Sequence, residues 1–160
     1  MQSMSNFHEP VLLKEAITGV RVEKNKKYID ATLGGGGHSK RILELSGVLL
    51  AIDVDQDAID HVQKLKIKNL KLKIWERLKI ARGNFRDIDK IALEHNFHKV
   101  AGIIFDLGVS SHQIETPARG FSFQYEGPLD MRMDQELGVR ALDLIKILTK
   151  GELYEIFTKF

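Results

Sequence analysis

The sequence of 160 residues contains no cysteine, only three prolines and no long uninterrupted run of apolar side chains. Without cysteine it can form neither a disulfide nor a thiolate metal site, which fits a reducing cytoplasm. The longest apolar runs, residues 48–52 and 100–105, are far shorter than the roughly 20 residues that cross a bilayer. The N-terminus lacks the charged start and apolar core of a signal peptide. We therefore expect a cytoplasmic protein without a membrane segment.

A large excess of either charge is missing as well, since the net charge is only +2. Such a mild excess permits a polyanionic partner but does not require one. The basic residues cluster in Lys64–Arg82, where we predict one long helix to about Trp75 and then a strand over Leu78–Arg82. A solvated basic face is the favoured interpretation of this stretch, and a nucleic-acid contact is the alternative.

The most unusual stretch present is Gly34–Gly37, four consecutive glycines between a predicted strand, Tyr28–Ala31, and a predicted helix, Ser39–Leu45. Four glycines inside a strand or helix would carry a large entropic cost, so they indicate a sharp turn. A strand, a glycine-rich loop and a helix in this order present helix N–H groups at the carboxyl edge of a parallel sheet, where nucleotides bind. A tight turn without a ligand is the alternative.

The same strand–helix alternation recurs along the first two thirds of the chain. Continuous apolar runs predict strands over Val48–Ile52 and Val100–Phe105, in addition to the two strands named above. Runs of this kind are typical of strands that are buried on both faces. Short connections and intervening helices then predict an α/β fold with a doubly wound parallel sheet. After residue 107 the alternation stops, and two helices are predicted, over Ala141–Leu148 and Glu152–Phe160.

Three acidic residues, Asp30, Asp53 and Asp106, end predicted strands. Because parallel strands end at the same edge of a sheet, these carboxylates should converge on one crevice. An acidic residue about 20 positions past the glycine loop accepts hydrogen bonds from ribose hydroxyls in dinucleotide folds, which suits Asp53. A helix cap is the alternative for Asp53. A carboxylate at the position of Asp106 can orient an exocyclic amine, and a capped loop is its alternative.

The glycine loop matches neither the dinucleotide fingerprint nor the P-loop, because the last glycine and the Gly-Lys pair are missing. This favours a nucleoside ligand without phosphates, and S-adenosyl-L-methionine is the obvious candidate. His38 could bind the amino-acid end of that ligand or merely cap a helix. Phe85 could cover the adenine or simply pack in the core. We expect no metal site, since no second ligand lies at helical spacing from His38.

Aromatic residues and arginines lie close together between residues 119 and 134. Phe121 and Phe123 flank Ser122, with Arg119 and Arg132 nearby. Aromatics beside arginines suit a splayed-out RNA base and its phosphate. Phenylalanine and methionine at this spacing are equally typical of a core, and the residues alone leave both interpretations open.

Taken together, these motifs resemble the MraW family of small-subunit ribosomal RNA methyltransferases, also called RsmH, from about residue 7 to the end. The segments that carry the resemblance are His8–Leu12, Asp30–Ser39, Ala51–Asp55, Asp106–Gln113, Arg119–Phe123 and Gly127–Asp134. The resemblance implies a class I S-adenosylmethionine-dependent methyltransferase domain over residues 1–106. It also implies the start of a helical insertion domain, for substrate recognition, over residues 107–160. The implied reaction is N4-methylation of a decoding-centre cytosine in 16S rRNA.

The resemblance also implies which residues form the site. The residues in contact with the cofactor would be Gly36, Gly37, His38, Asp53, Phe85, Asp106 and Gln113. We expect Asp106 to be the catalytic residue as well, because its carboxylate can orient the acceptor amine. The implied partner is 16S rRNA in the small ribosomal subunit, without a membrane or a metal, and a homodimer is compatible with the sequence.

Family members continue past the insertion domain, so we expect an N-terminal fragment that is marginally folded and inactive on RNA by itself. The alternatives are a non-catalytic module that binds cofactor or RNA, and a DNA amino-methyltransferase. The DNA enzymes carry an Asn/Asp-Pro-Pro-aromatic motif where this chain has Asp106-Leu107-Gly108-Val109.

Overall fold

The computed structural model describes residues 10–69 and 73–159. The sequence predicts a loose leader over residues 1–7 and a helix that opens at His8-Glu9-Pro10. Residues 1–9, and residues 70–72 of the basic stretch, lie outside this description. Two compact units are present, Met1–Ser111 and His112–Phe160, and each is described by itself. The domain boundary predicted between residues 106 and 107 stays a prediction.

The first unit is built on a sheet of four parallel strands. The strands are β1 Lys27–Asp30, β2 Val48–Asp53, β3 Leu78–Arg82 and β4 Gly102–Ile104. Their order across the sheet is β3-β2-β1-β4, and all three neighbouring pairs are parallel. The chain therefore winds outward from β1 to β3 and then returns to the other side of β1. This reversal is the topological switch point of a doubly wound fold, and it places a crevice at the carboxyl ends of β1 and β4.

Helices cover both faces of this sheet. They are α1 Leu13–Val20, α2 Gly37–Glu44, α3 Gln56–Lys68 and α4 Ile88–Glu94, with short 3-10 helices at Lys73–Arg77 and Phe85–Asp87. Side chains of α1, α2 and α3 pack on one face, in a core with Tyr28 and Leu49. Side chains of α4 pack on the other face, with Ile29 and Leu50. The predicted α/β fold with a doubly wound parallel sheet is thus confirmed.

Strand β2 shows why a continuous apolar run forms the centre of this sheet. Leu49, Leu50, Ala51 and Ile52 are all fully buried. Leu49 and Ala51 belong to one core, whereas Leu50 and Ile52 belong to the other. Because successive side chains of a strand point to opposite faces, a strand covered on both sides needs apolar residues at every position.

The long helix predicted to continue to Trp75 is wrong. Helix α3 ends at Lys68, where the N–H of Asn69 donates to the carbonyls of Leu65 and Lys66, and Trp75 lies in the next 3-10 helix. Regularly placed apolar residues among the lysines imitate a helical period across this break. Asn69 was the available signal, since asparagine is common at helix ends.

The basic side chains of Arg77 and Lys79 in this stretch have structural partners. The guanidinium of Arg77 donates to the carbonyls of Leu43 and Gly47, at 2.7 and 3.3 Å. The ammonium of Lys79 donates to the carbonyl of His95 at 2.9 Å. Arg77 and Lys79 are therefore bound to backbone carbonyls, a role that neither the solvated basic face nor the nucleic-acid contact anticipated.

The remaining helices are α5 Ser111–Glu115, α6 Ala141–Ile147 and α7 Lys150–Lys159, with a 3-10 helix at Pro117–Arg119. The predictions of the last two long helices are correct to within a few residues. Helix α5 was missed because it is short and lies in a stretch without an apolar period. Among the described residues, no helix is both long and apolar enough to cross a bilayer.

Candidate active site at the carboxyl edge of the sheet

The turn that follows β1 is bound to both neighbouring strands. The N–H of Ala31 donates to the carbonyl of Ile104 at the end of β4, at 2.9 Å, and the N–H of Leu33 donates to the carbonyl of Ile52 in β2, at 3.0 Å. The turn therefore extends the sheet by one bond on each side before the glycines begin. This fixes the glycine loop directly above the switch point.

Asp53 is attached to the glycine loop through its side chain. Its two carboxylate oxygens accept the N–H of Gly34 at 2.8 Å and the N–H of Asp55 at 2.9 Å. Asp55, rather than Asp53, is the N-cap of α3, because its side chain accepts the N–H of Asp57. A carboxylate has about four acceptor sites, so Asp53 retains capacity for two ligand hydroxyls. Partial burial raises the pKa of Asp53, and its backbone hydrogen bonds counteract that rise.

Asp30 is the most deeply buried of the three carboxyl groups, with 1% of its surface exposed. It accepts hydrogen bonds from the hydroxyl of Ser39 in α2, at 2.7 Å, and from the N–H of Thr32, at 3.2 Å. Burial raises the pKa of Asp30 from 3.8 to about 7, with smaller contributions from the charges of Asp53 and Asp106. Asp30 therefore joins β1 to the first turn of α2, and it does not face solvent.

Asp106 stands on the other side of the turn, two residues after the end of β4. Its backbone N–H donates to the hydroxyl oxygen of Thr32 at 2.7 Å. Its carboxylate lies 3.7 Å from Nδ1 of His38, and 32% of its side-chain surface is exposed. Asp106 is thus the accessible carboxylate beside the loop, and the buried His38 is within reach of it.

The two glycines predicted to contact the cofactor also have packing reasons to be glycine. Gly36 has a φ of +78°, in the left-handed region, and a Cβ there would lie 2.9 Å from the side chain of Val62 in α3. A Cβ on Gly37 would lie 2.5 Å from the ring of Pro10. The loop is therefore seated closely on α3 and on the segment before α1. These contacts alone explain both residues, so the glycine pattern is weaker evidence of a ligand than its sequence suggests.

Phe85 lies in the 3-10 helix after β3, and its ring meets that of Phe105 edge to face, with 5.7 Å between the centroids. Both rings are about half exposed, at 41% and 47%. Phe85 is therefore not a core residue. The pair gives the first unit an accessible aromatic surface. The sequence indicated Phe85 but not Phe105, because Phe105 was predicted to be the buried last residue of a strand.

Gln113 belongs to the second unit, which is described by itself. Its side chain is buried, at 6% exposure. Its assignment as a cofactor contact stays a prediction.

The two arginines of the second unit are engaged internally. The buried guanidinium of Arg119 donates to the carbonyls of Arg132 and Met133, both at 3.1 Å. Arg132 forms a two-pronged pair with Asp130, with both bonds at 2.8 Å, and this pair lowers the pKa of Asp130. These bonds favour a loop-holding role for both arginines over a phosphate contact. Phe123, in contrast, is fully exposed.

The residues of the first unit suit S-adenosyl-L-methionine. The carboxylates of Asp53 and Asp106 at this sheet edge would repel a pyrophosphate, whereas they would attract a sulfonium cation. Asp53 has acceptor capacity for a ribose diol, and Phe85 offers an aromatic face for an adenine. No group of three potential metal ligands occurs in residues 10–69 or 73–159.

Comparison with known proteins decides the family. The profile of the MraW methylase family matches residues 5–160 of this chain. The chain belongs to the MraW methylase family. The resemblance found in the sequence is thereby confirmed, and so is S-adenosyl-L-methionine as the cofactor of this methylase fold.

Individual relatives of this MraW family chain carry the name ribosomal RNA small subunit methyltransferase H. The protein of Thermomicrobium roseum is 45% identical over 160 residues, covering 98% of this chain and 48% of its own length. That of Cytophaga hutchinsonii is 42% identical over 152 residues, covering 94% and 48%. That of Syntrophus aciditrophicus is 40% identical over 158 residues, covering 97% and 49%. The chain thus spans about half the length of the curated relatives it matches.

Among solved structures, the C-terminal domain of precorrin-6Y C5,15-methyltransferase from Rhodobacter capsulatus aligns with a TM-score of 0.49 and 16% identity. The alignment covers 68% of this chain and 58% of that one.

Proposed function

We propose that this chain forms the cofactor-binding part of an S-adenosylmethionine-dependent methyltransferase that modifies N4 of a decoding-centre cytosine in 16S rRNA. The observation that carries the proposal is the pairing of two carboxylates around the glycine loop. Asp53 is bonded to the loop itself, and Asp106 stands partly exposed on its other side. These positions support assigning Asp53 to the methyl donor and Asp106 to an acceptor. The small ribosomal subunit as partner, and the cytoplasm as location, belong to the same proposal.

In this proposal the loop from Gly36 to His38 holds the amino-acid end of the cofactor, Asp53 binds the ribose and Phe85 covers the adenine. The bound cofactor supplies an electrophilic methyl group. Asp106 accepts a hydrogen bond from the exocyclic N–H of cytosine and so directs the nitrogen lone pair toward the donor. Catalysis then rests mainly on placing the two reacting centres within reach. Gln113 completes the cofactor contacts.

The test combines a binding and a transfer measurement. Calorimetry should detect S-adenosylmethionine binding to the chain, and Asp53→Ala should weaken it, whereas Asp89→Ala, which removes an exposed carboxylate of α4, should not. Small subunits lacking the modification are then incubated with methyl-labelled cofactor and the protein in a full-length context, and the RNA is digested to nucleosides. Labelled N4-methylcytidine from 16S rRNA supports the proposal.

Two other outcomes would replace it. Label in N4-methylcytosine of DNA, with none in rRNA, would indicate a DNA amino-methyltransferase. Cofactor binding without transfer to either nucleic acid would indicate a non-catalytic binding module. Absence of cofactor binding would remove the site assignment altogether.

A further inference from the structure

Thr32 links the two sides of the candidate site. Its hydroxyl oxygen accepts the N–H of Asp106 at 2.7 Å, a bond between residues 74 positions apart in the chain. The last backbone bond between the turn and β4 runs from Ala31 to Ile104. Backbone pairing therefore stops two residues before Asp106, and the Thr32 hydroxyl carries the connection further.

Thr32 is also connected to α2, through the carboxyl group of Asp30. Its N–H donates to the Asp30 carboxyl at 3.2 Å, and that carboxyl accepts the hydroxyl of Ser39, in the first turn of α2, at 2.7 Å. Asp30 and Ser39 are both fully buried. A continuous set of hydrogen bonds thus runs from the start of α2, through Asp30 and Thr32, to the backbone of Asp106.

Two residues of the segment from β1 to α2 adjoin Asp106. The Thr32 hydroxyl fixes its backbone, and His38, also in the first turn of α2, lies 3.7 Å from its carboxylate. Both residues belong to the segment that carries the glycine loop. A shift of the loop is therefore passed on to the Asp106 carboxylate.

We infer that Thr32 is a positioning residue, whose hydroxyl fixes the Asp106 backbone and thereby couples the cofactor loop to the carboxylate that orients the acceptor amine. The inference rests on the proposed function for the role of Asp106. It predicts that loss of the hydroxyl affects the methyl-transfer step and leaves cofactor affinity nearly unchanged. A displacement of about 1 Å at a reacting group is enough to slow transfer strongly.

The test compares Thr32→Val, which has nearly the same shape and no hydroxyl, with Thr32→Ser, which keeps the hydroxyl. Thr18→Val removes an exposed threonine hydroxyl of α1 and serves as the matched control. Amide hydrogen exchange is measured by NMR on the labelled chain. Thr32→Val should accelerate exchange at Asp106 by about tenfold, as expected for one lost hydrogen bond. Exchange at Ile29, in the middle of β1, should not change.

Cofactor affinity and transfer provide the second readout. In Thr32→Val, affinity for S-adenosylmethionine should stay within about threefold, while kcat for transfer to small subunits, measured in a full-length context, falls by about tenfold or more. Thr32→Ser should restore both exchange and kcat.

Unchanged exchange at Asp106 in Thr32→Val would overturn the inference, as would a Thr32→Ser variant that behaves like Thr32→Val. Faster exchange at Ile29 as well would show a general loss of stability and would also overturn it. If Thr32→Val does not fold, Thr32→Ala is judged by the same criteria. Failure of the unsubstituted chain to bind cofactor would refute the proposed function, whereas the exchange result at Asp106 would still decide its link to Thr32.

Discussion

Replacing the buried Asp30 by asparagine should stabilise the first unit, and increasingly so as the pH rises. The folded pKa of Asp30 is raised from 3.8 to about 7, chiefly by burial. Below pH 4 the folded and unfolded chains both hold the proton. Between about pH 4 and pH 7 the unfolded chain ionises Asp30 while the folded chain keeps it protonated, so the free energy of unfolding falls by about 1.4 kcal/mol per pH unit. Over roughly three units the loss approaches about 4 kcal/mol.

Asparagine does not titrate, and its amide can replace both hydrogen bonds of Asp30. Its oxygen can accept the Thr32 N–H, and its amide nitrogen can donate to the Ser39 hydroxyl. Urea denaturation of both proteins at several pH values between 4 and 8 measures the difference in unfolding free energy. We expect this difference to grow by roughly 4 kcal/mol across that range in favour of Asp30→Asn.

The exposed Glu94 provides the control for loss of one negative charge, as Glu94→Gln. A difference between Asp30→Asn and the unsubstituted protein that is constant from pH 4 to pH 8 would refute the reasoning. It would mean that Asp30 ionises in the folded chain as readily as in the unfolded one.

Three further predictions concern the loop and its two accessible carboxylates. Asp53→Ala should weaken S-adenosylmethionine binding by about 1.5–3 kcal/mol, as measured by calorimetry. A cofactor analogue with a dideoxyribose should show no such loss, because it lacks the two hydroxyls that Asp53 binds. An equal loss of affinity for both ligands would contradict the ribose assignment. In a full-length context, Asp106→Asn should lower kcat for methyl transfer to small subunits more than it lowers cofactor affinity, and equal losses would show that Asp106 serves the cofactor only. Gly36→Ala should destabilise the chain by about 2–5 kcal/mol in urea denaturation, from its left-handed φ and its contact with Val62. Gly19→Ala, in an open position of α1, should not destabilise it, and equal stability of the two variants would speak against the close seating of the loop.

The sheet could be predicted because its strands are continuous apolar runs, and β3 matches its predicted bounds of Leu78–Arg82. The convergence of Asp53 and Asp106 on the glycine loop was also predictable, since it follows from parallel strands ending at one edge. The bond between Thr32 and Asp106 was not, because it requires knowing that β4 returns to the side of β1. The difference between the buried Asp30 and the exposed Asp106 was equally hidden, as both simply end apolar runs. Burial of Asp30 depends on Ser39 and α2 packing above it.

The seating of Gly36 on Val62 has a consequence for how this chain can vary. Val62 is fully buried in α3, and its side chain packs against the loop at Gly36. A larger side chain at this position would lift the loop without touching any ligand. The contact between Val62 and Gly36 therefore affects both thermal stability and cofactor affinity. A substitution of Val62 that is selected for one of these properties will also change the other.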